Sequence, residues 1–291
     1  MATAILQAPE GQKIERGFKR IVVGYDASPA AEHALNDAVT LGKRFKAEIL
    51  LAQANAPDEE PASSCTVLRD ERMREFNDLE VIRRRLAAVG VSSRGIVRNG
   101  IVGDTLFNIC CDESADLLLL GAYGYSQQDR QTLGSTAEFL LRAVPCPTLT
   151  YGPEVASTFD AAAHDGPILV PVSLPCGQGQ LERAMKIARL FGVGLELLHV
   201  AEHVHPSAIR DLERQCEELA DRLRCGGIRA QWSLYCGIPD RVIRGRSAEI
   251  DSPFIVMPLK WGHRLSSITS DNVAAHVIRY SKIPVMTYKV D

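Results

Sequence analysis

From Gly121 to Thr136 the chain reads Gly-Ala-Tyr-Gly-Tyr-Ser-Gln-Gln-Asp-Arg-Gln-Thr-Leu-Gly-Ser-Thr, so Gly121, Gly124 and Gly134 fall in a G-x2-G-x9-G-S-T spacing. Glycine lets a backbone approach a ligand closely and adopt positive φ. Gly134-Ser135-Thr136 opens a segment, Ala137 to Leu141, that reads as helix, and a helix start offers free N–H groups and the positive end of a dipole to an anion. The hydroxyls of Ser135 and Thr136 add donors for phosphate oxygens, and Arg130 can offset part of the negative charge. The chemistry these residues suit is the holding of a phosphate chain. A second reading needs no ligand: Ser135 and Glu138 form S-x-x-E, the pattern of a capping box. Asp26, which follows an apolar run and precedes Ser28-Pro29, is likewise either a ligand-facing carboxylate or a turn cap.

These residues need a frame, and the flanking pattern supplies one. Lys19 to Asp26 is a β-branched run ending at Ser28 as N-cap and Pro29 as first helical residue. Ala31, Ala34, Leu35, Ala38, Leu41 and Phe45 then recur at helical spacing, before a strand from Glu48 to Ala52. The order repeats at Pro167 to Ser173, with Leu181, Ala184, Met185, Ala188 and Phe191 on a helix stopped by Gly192 and Gly194, then a strand from Leu195 to Val200. Farther on, Gly100 and Gly237, Gly121 and Pro258, Arg142 and Arg279, and Pro147 and Pro284 all sit at one fixed offset. Between lie two amphipathic helices, one carrying Phe76, Leu79, Leu86 and Val89 and ended by Gly90, the other carrying Ile209, Leu212, Cys216, Leu219 and Leu223 and ended by Gly226. The pattern predicts two β-α-β-α-β-α-β-α-β copies, residues 17–152 and 167–291, joined by a linker over 153–166. Buried runs such as Leu117 to Leu120 imply parallel sheets covered on both faces.

Composition narrows the function. The 291 residues carry 33 Lys and Arg against 36 Asp and Glu, a net charge of −3, with no like-charge block to act as a nucleic-acid stripe. No apolar run approaches the roughly 18–20 residues of a membrane span. Met1 to Ala8 makes a poor signal peptide, so a cytoplasmic protein is expected. Eight cysteines without a C-x-x-C pair read as reduced thiols. No G-x-S-x-G elbow, H-E-x-x-H or Walker A sequence occurs, which gives no support to an efficient turnover enzyme.

The glycine spacing, together with Val23-Gly24-Tyr25-Asp26-Ala27-Ser28, Gly100-Ile101-Val102 and Val144-Pro145-Cys146-Pro147-Thr148-Leu149, resembles the universal stress protein family over nearly the whole chain. The resemblance implies two Rossmann-like domains of the adenine nucleotide alpha hydrolase type, each an open parallel five-stranded α/β sheet, and ATP, with Mg²⁺ as a possible companion, as the ligand. It implies that Asp26 meets the adenine, Leu120 lines its pocket, Gly121 and Gly124 contact ribose and phosphate, and Gly134, Ser135 and Thr136 hold phosphates. Gln53, Val102 and Tyr125 depart from the family's pattern. The function it suggests is a nucleotide-dependent regulatory switch in stress response, the nucleotide ordering the loop from Gly124 to Gly134 and so altering the surface offered to an unknown protein partner. It also implies pairing of domains through their last strands, Thr148 to Tyr151 and Val285 to Tyr288, as a pseudo-dimer within one chain, with a further homodimer open.

The second copy carries Ser173 for Asp26, Pro258 for Gly121, Trp261 for Gly124, Asp271 for Gly134 and Asn272 for Ser135, so nucleotide is expected in the first copy only. Two alternatives stay open. One is a slow Mg-dependent ATP hydrolase in which Asp26 or Asp129 orients water. The other is an interaction module in which the second copy binds metal or a small ligand through His199, His203 and His205 or a pocket at Trp261. Arg241, Arg244 and Arg246 read as a solvated helix face.

Overall fold

In the computed structural model, residues 17–55, 78–124, 133–156, 166–202, 204–260 and 273–290 are described. The first strand, β1 (Arg20–Gly24), leads into α1 (Pro29–Phe45), and the start of that helix follows from its sequence. The Ser28 side chain accepts a hydrogen bond from the Ala31 N–H at 3.2 Å, and Pro29 takes the first helical position, where a missing N–H costs nothing. Then come β2 (Glu48–Asn55), a helix α2 over residues 78–88, β3 (Ser93–Asn99), α3 (Val102–Asp112), β4 (Leu117–Gly121), α4 (Ser135–Ala143) and β5 (Thr148–Tyr151). The series repeats as β6 (Ile168–Pro171), α5 (Gln178–Phe191), β7 (Leu195–Ala201), α6 (Pro206–Cys225), β8 (Ala230–Cys236), α7 (Pro239–Glu249), β9 (Ile255–Lys260), α8 (Val273–Tyr280) and β10 (Val285–Val290).

All ten strands join one sheet in the order β3-β2-β1-β4-β5-β10-β9-β6-β7-β8. Each five-strand set is parallel, the expected α/β architecture. The sets meet through their closing strands, which run antiparallel with Val285 opposite Thr150, Met286 opposite Leu149 and Thr287 opposite Thr148. Alternation along β1 divides the core: Ile21 and Val23 pack with Leu35 and Leu41 under α1, whereas Val22 packs with Leu106, Ile109 and Leu140 under α3 and α4. The fixed offset survives in the backbone, since Gly100 and Gly237 both turn the chain at the end of an outer strand with φ of +142° and +148°.

Two helix ends differ from expectation. On α2 the inward residues are Leu79, Ile82 and Leu86; Val89 lies past the helix end and is exposed, and Phe76 falls outside the described residues. The stop of α6 involves Gly226 as C-cap at φ −78°, while the left-handed conformation falls on Gly227 at +78°. Among the described residues no helix is long and apolar enough to cross a membrane.

Candidate functional site

Where strand order reverses in an open parallel sheet, the loops past the carboxyl ends splay apart and leave a crevice. Here that point lies between β1 and β4, and a cleft of about 480 Å³ opens there. Its size falls within the usual range of roughly 300–1,000 Å³ for small-molecule sites. It gathers Asp26, Leu120, Gly121, Gly124, Gly134, Ser135 and Thr136, every described residue that the sequence nominates; Arg130 lies outside the described residues.

Each side chain is placed by an element end. Leu120, buried in β4, supplies apolar wall. Gly121 closes β4 against α1: a Cβ there would lie 3.0 Å from the Ala30 Cβ and 3.2 Å from the Tyr123 carbonyl oxygen, so a larger residue would push the floor apart. Gly124 faces Asp26, whose Oδ2 would stand 3.5 Å from a Cβ at that position. The other oxygen, Oδ1, accepts the Ser28 N–H at 3.0 Å, so Asp26 does shape its own turn while remaining on the cleft wall.

The start of α4 overturns the capping-box reading. Gly134 is the N-cap, with φ −59° and ψ 139°, its N–H donating to the Ala122 carbonyl at 3.0 Å. That bond sets the helix start one residue early, so Ser135 is already the first helical residue and no side chain caps the end. Glu138 turns away and pairs with Arg142 at 2.7 Å. Among the described residues no side-chain hydrogen bond caps the first N–H groups of α4, which border the cleft, the arrangement that suits an anion.

The cleft has further walls. Gln53 and Ala54 at the end of β2, with Val102 and Leu106 one helical turn apart on α3, close the opposite side. Leu106 lay within reach of the sequence through its i, i+4 relation to Val102. Tyr25 also lines the cleft, but its hydroxyl donates to Glu32; burial first, and then that carboxylate, push the phenol well above its ordinary range, so it stays protonated.

The second half diverges at the matching places. Pro258 lies within β9, opposite Tyr288 of β10, and that strand runs on to Lys260, whereas β4 stops at Gly121. Trp261, Asp271 and Asn272 fall outside the described residues. His199 Nδ1 lies 3.0 Å from the Val172 carbonyl, and His205 caps α6, accepting the Ser207 N–H. His203 is outside the described residues, among which no group of three His, Cys, Asp or Glu could hold a metal. The solvated-face reading of the arginines fails at Arg246, which reaches inward to Glu196 at 2.6 and 3.1 Å. Arg244 instead bonds the Asp240 carboxylate at 3.1 Å and lies over the Tyr280 ring.

A parallel sheet with a glycine-floored crevice at its reversal point and a helix start facing it is the architecture of a Rossmann-like α/β protein. The model of the universal stress protein family matches residues 17–151. A universal stress protein of Mycobacterium tuberculosis, Rv1636, is 30% identical over 127 residues, covering 40% of this chain and 85% of its own. The universal stress protein MJ0531 of Methanocaldococcus jannaschii is 26% identical over 140 residues, 46% of this chain and 82% of its own. In three dimensions, a universal stress protein from Archaeoglobus fulgidus superposes with a TM-score of 0.72 at 19% identity, covering 93% of this chain and 96% of that one. The chain belongs to the universal stress protein family.

Proposed function

We propose that the cleft between β1 and β4 binds an adenine nucleotide, ATP foremost, and that this binding makes the chain a nucleotide-dependent regulatory switch in stress response. The observation that carries the reading is the start of α4, which borders a glycine-floored cleft and has no side-chain cap among the described residues. Ser135 and Thr136 hold phosphate oxygens, Gly121 and Gly124 leave room for ribose and phosphate, and Leu120 and Asp26 meet the base. Arg130 offsets phosphate charge. Mg²⁺ arrives with the phosphates. The chain comprises two domains, 17–152 and 167–291, joined by 153–166, and the nucleotide occupies the first alone, because the strand that ends at Gly121 in one half continues through Pro258 in the other. The protein works in the cytoplasm, its output a protein partner that distinguishes filled from empty cleft.

The test is calorimetric titration of stripped protein with ATP, beside mass spectrometry of whatever small molecule freshly purified protein releases on denaturation. One equivalent per chain is expected. Two equivalents would defeat the single-domain reading, and no binding would defeat nucleotide recognition altogether. Hydrogen exchange tests the switch: α4 should gain protection with ATP, and identical protection at its first turn would remove the conformational part of the proposal.

A further inference from the structure

A chain of three hydrogen bonds runs from the interior of α1 to the start of α4. Asp37, on the inner face of α1, accepts the Tyr151 hydroxyl at 2.7 Å, and both side chains are fully buried. Tyr151 ends β5, and its main-chain carbonyl accepts the Ala122 N–H at 2.8 Å. The Ala122 carbonyl in turn accepts the Gly134 N–H at 3.0 Å, the bond that sets where α4 begins. Burial first, and then the Asp37 carboxylate, push the Tyr151 phenol well above its ordinary range, so the hydroxyl keeps its proton and stays a donor.

The second half shows that the frame folds without such a pair. Tyr288 takes the place of Tyr151 at the fixed offset, and the left-handed caps that end α1 and α5, Lys46 and Gly192, make Asp37 and Arg183 equivalent. Arg183 is exposed, its guanidinium 5.8 Å from the centre of the Tyr288 ring. The Tyr288 hydroxyl donates instead to the Gln180 main-chain carbonyl at 3.1 Å. Burying a carboxylate is costly even when it is bonded, and this half does without one at that position. The half that keeps it is the one whose cleft has a glycine floor and borders the start of α4.

We propose that Asp37 and Tyr151 are positioning residues for the nucleotide cleft, a tether from α1 through the end of β5 and Ala122 that fixes the first turn of α4 where it meets phosphate. The inference rests on the nucleotide reading of the cleft. Neither side chain lines the cleft, so both act through the backbone. A hydrogen bond to a carboxylate is roughly twice as strong as one between neutral groups, so Tyr151 is held more firmly than Tyr288. The Tyr151 carbonyl is thereby fixed, Ala122 is fixed by it, and the Gly134 N–H by Ala122. The same helix touches the floor directly, since Ala30 packs beside Gly121. One element, α1, thus registers both the floor of the cleft and the helix start at its border.

The experiment reads three quantities on the full chain: deuterium uptake over residues 133–137 without nucleotide, ATP affinity by calorimetry, and stability in urea. Tyr151→Phe with Asp37→Leu makes both partners apolar and leaves no charge buried alone, so stability should stay close to wild type. Exchange over 133–137 should nonetheless be at least about tenfold faster, and ATP should bind at least about tenfold more weakly. Tyr151→Phe with Asp37→Asn makes the same test if leucine packs poorly. Asp37→Asn alone keeps an acceptor for the Tyr151 hydroxyl and should hold exchange and affinity within about threefold of wild type. Tyr288→Phe, the matched loss in the second half, should move neither. Unchanged exchange in the double variant would overturn the inference, as would unchanged affinity beside an ATP-binding wild type or an equal loss of affinity in Tyr288→Phe. A wild type that binds no ATP is a different failure: the nucleotide reading falls, and the inference falls with it, however fast the double variant exchanges.

Discussion

The two halves fill the same layer of the same frame with opposite chemistry. Strand register makes Leu50 and Glu196 equivalent, each fully buried: Leu50 sits beside Val22 and Arg94, Glu196 beside Leu169 and Gln231. Above them the fixed offset sets Ile109 of α3 against Arg246 of α7, and Ile96 against Ser233. In the first half Leu50, Ile109 and Ile96 close an apolar layer. In the second, Glu196 accepts two bonds from Arg246, one from Gln231 at 2.7 Å and one from Ser233 at 2.7 Å. Either filling supports the same strand order, so the layer does not choose the topology. What differs is tolerance: an apolar layer degrades gradually, whereas a buried charge stands or falls with its partner.

The largest effect is expected from breaking that pair. Arg246→Ile, which copies the first half's residue at one position only, leaves Glu196 charged and buried and should cost about 3–5 kcal/mol in urea unfolding. Glu196→Leu with Arg246→Ile should be neutral, or stabilising by about 1–4 kcal/mol. Equal losses in the single and double variants would mean that the halves do not interchange here. Acid sharpens the same comparison. Burial alone would raise the Glu196 carboxyl, but the bonds from Arg246, Ser233 and Gln231 outweigh it and hold the group below the ordinary range. A carboxyl depressed in the folded chain contributes stability that is complete above its unfolded value, about 4.3, and is lost as pH falls through the folded value. Wild-type stability should therefore fall more steeply below about pH 4–5 than that of the double variant.

Next comes the cleft, where Gly134→Asp installs in the first half the residue that the second carries as Asp271. Gly134 has ordinary extended N-cap geometry, so aspartate fits the backbone and caps α4, yet its carboxylate stands where phosphate would bind. ATP affinity should drop at least about a hundredfold, about 2.8 kcal/mol, with no loss of melting temperature. Unchanged affinity in calorimetry would remove α4 from the site. The reverse change, Asp271→Gly, should create no second site, because β9 still runs through Pro258.

The frame and most of this cleft were readable because they rest on local signals: Ser28-Pro29 starts α1, three glycines mark the floor, and one offset relates two copies. Range limited the rest. Glu196 stands in an apolar strand as an evident intruder, but its partner lies 50 residues on, among arginines that look solvated. Asp37, on the apolar face of α1, is buried against the Tyr151 hydroxyl at 2.7 Å, 114 residues away. At α4 the S-x-x-E pattern misled because the Ala122 carbonyl, distant in sequence, takes the Gly134 N–H and shifts the helix start by one.

A smaller effect is expected at the floor of the cleft. Gly121→Ala puts a methyl 3.0 Å from the Ala30 Cβ, which α1 can relieve only by moving outward. It should cost about 1–2 kcal/mol in stability and roughly tenfold in ATP affinity. Pro258→Ala, the matched change in the second half, should leave affinity unchanged. An equal effect of both substitutions on ATP would show that the two strand ends serve one site.

The smallest effect concerns how one half steadies the other's helix. Lys289 of β10 donates to the Ala143 carbonyl at 2.7 Å, at the end of α4 opposite the one that opens onto the cleft. A cation at a helix C-terminus is worth about 0.3–1 kcal/mol, and the contact is half-buried, which reduces screening by salt. Lys289→Met keeps the apolar stem and removes the charge, so packing against the closing strands persists while the last carbonyls of α4 lose their donor. The expected loss is about 0.5–1 kcal/mol in urea unfolding, nearly the same in low and in moderate salt. Hydrogen exchange should accelerate in the last turn of α4 and not in α8, the matching helix of the second half. If both helices responded alike, the lysine would be acting on the whole sheet through β5 and β10 and not on α4 through its carbonyls.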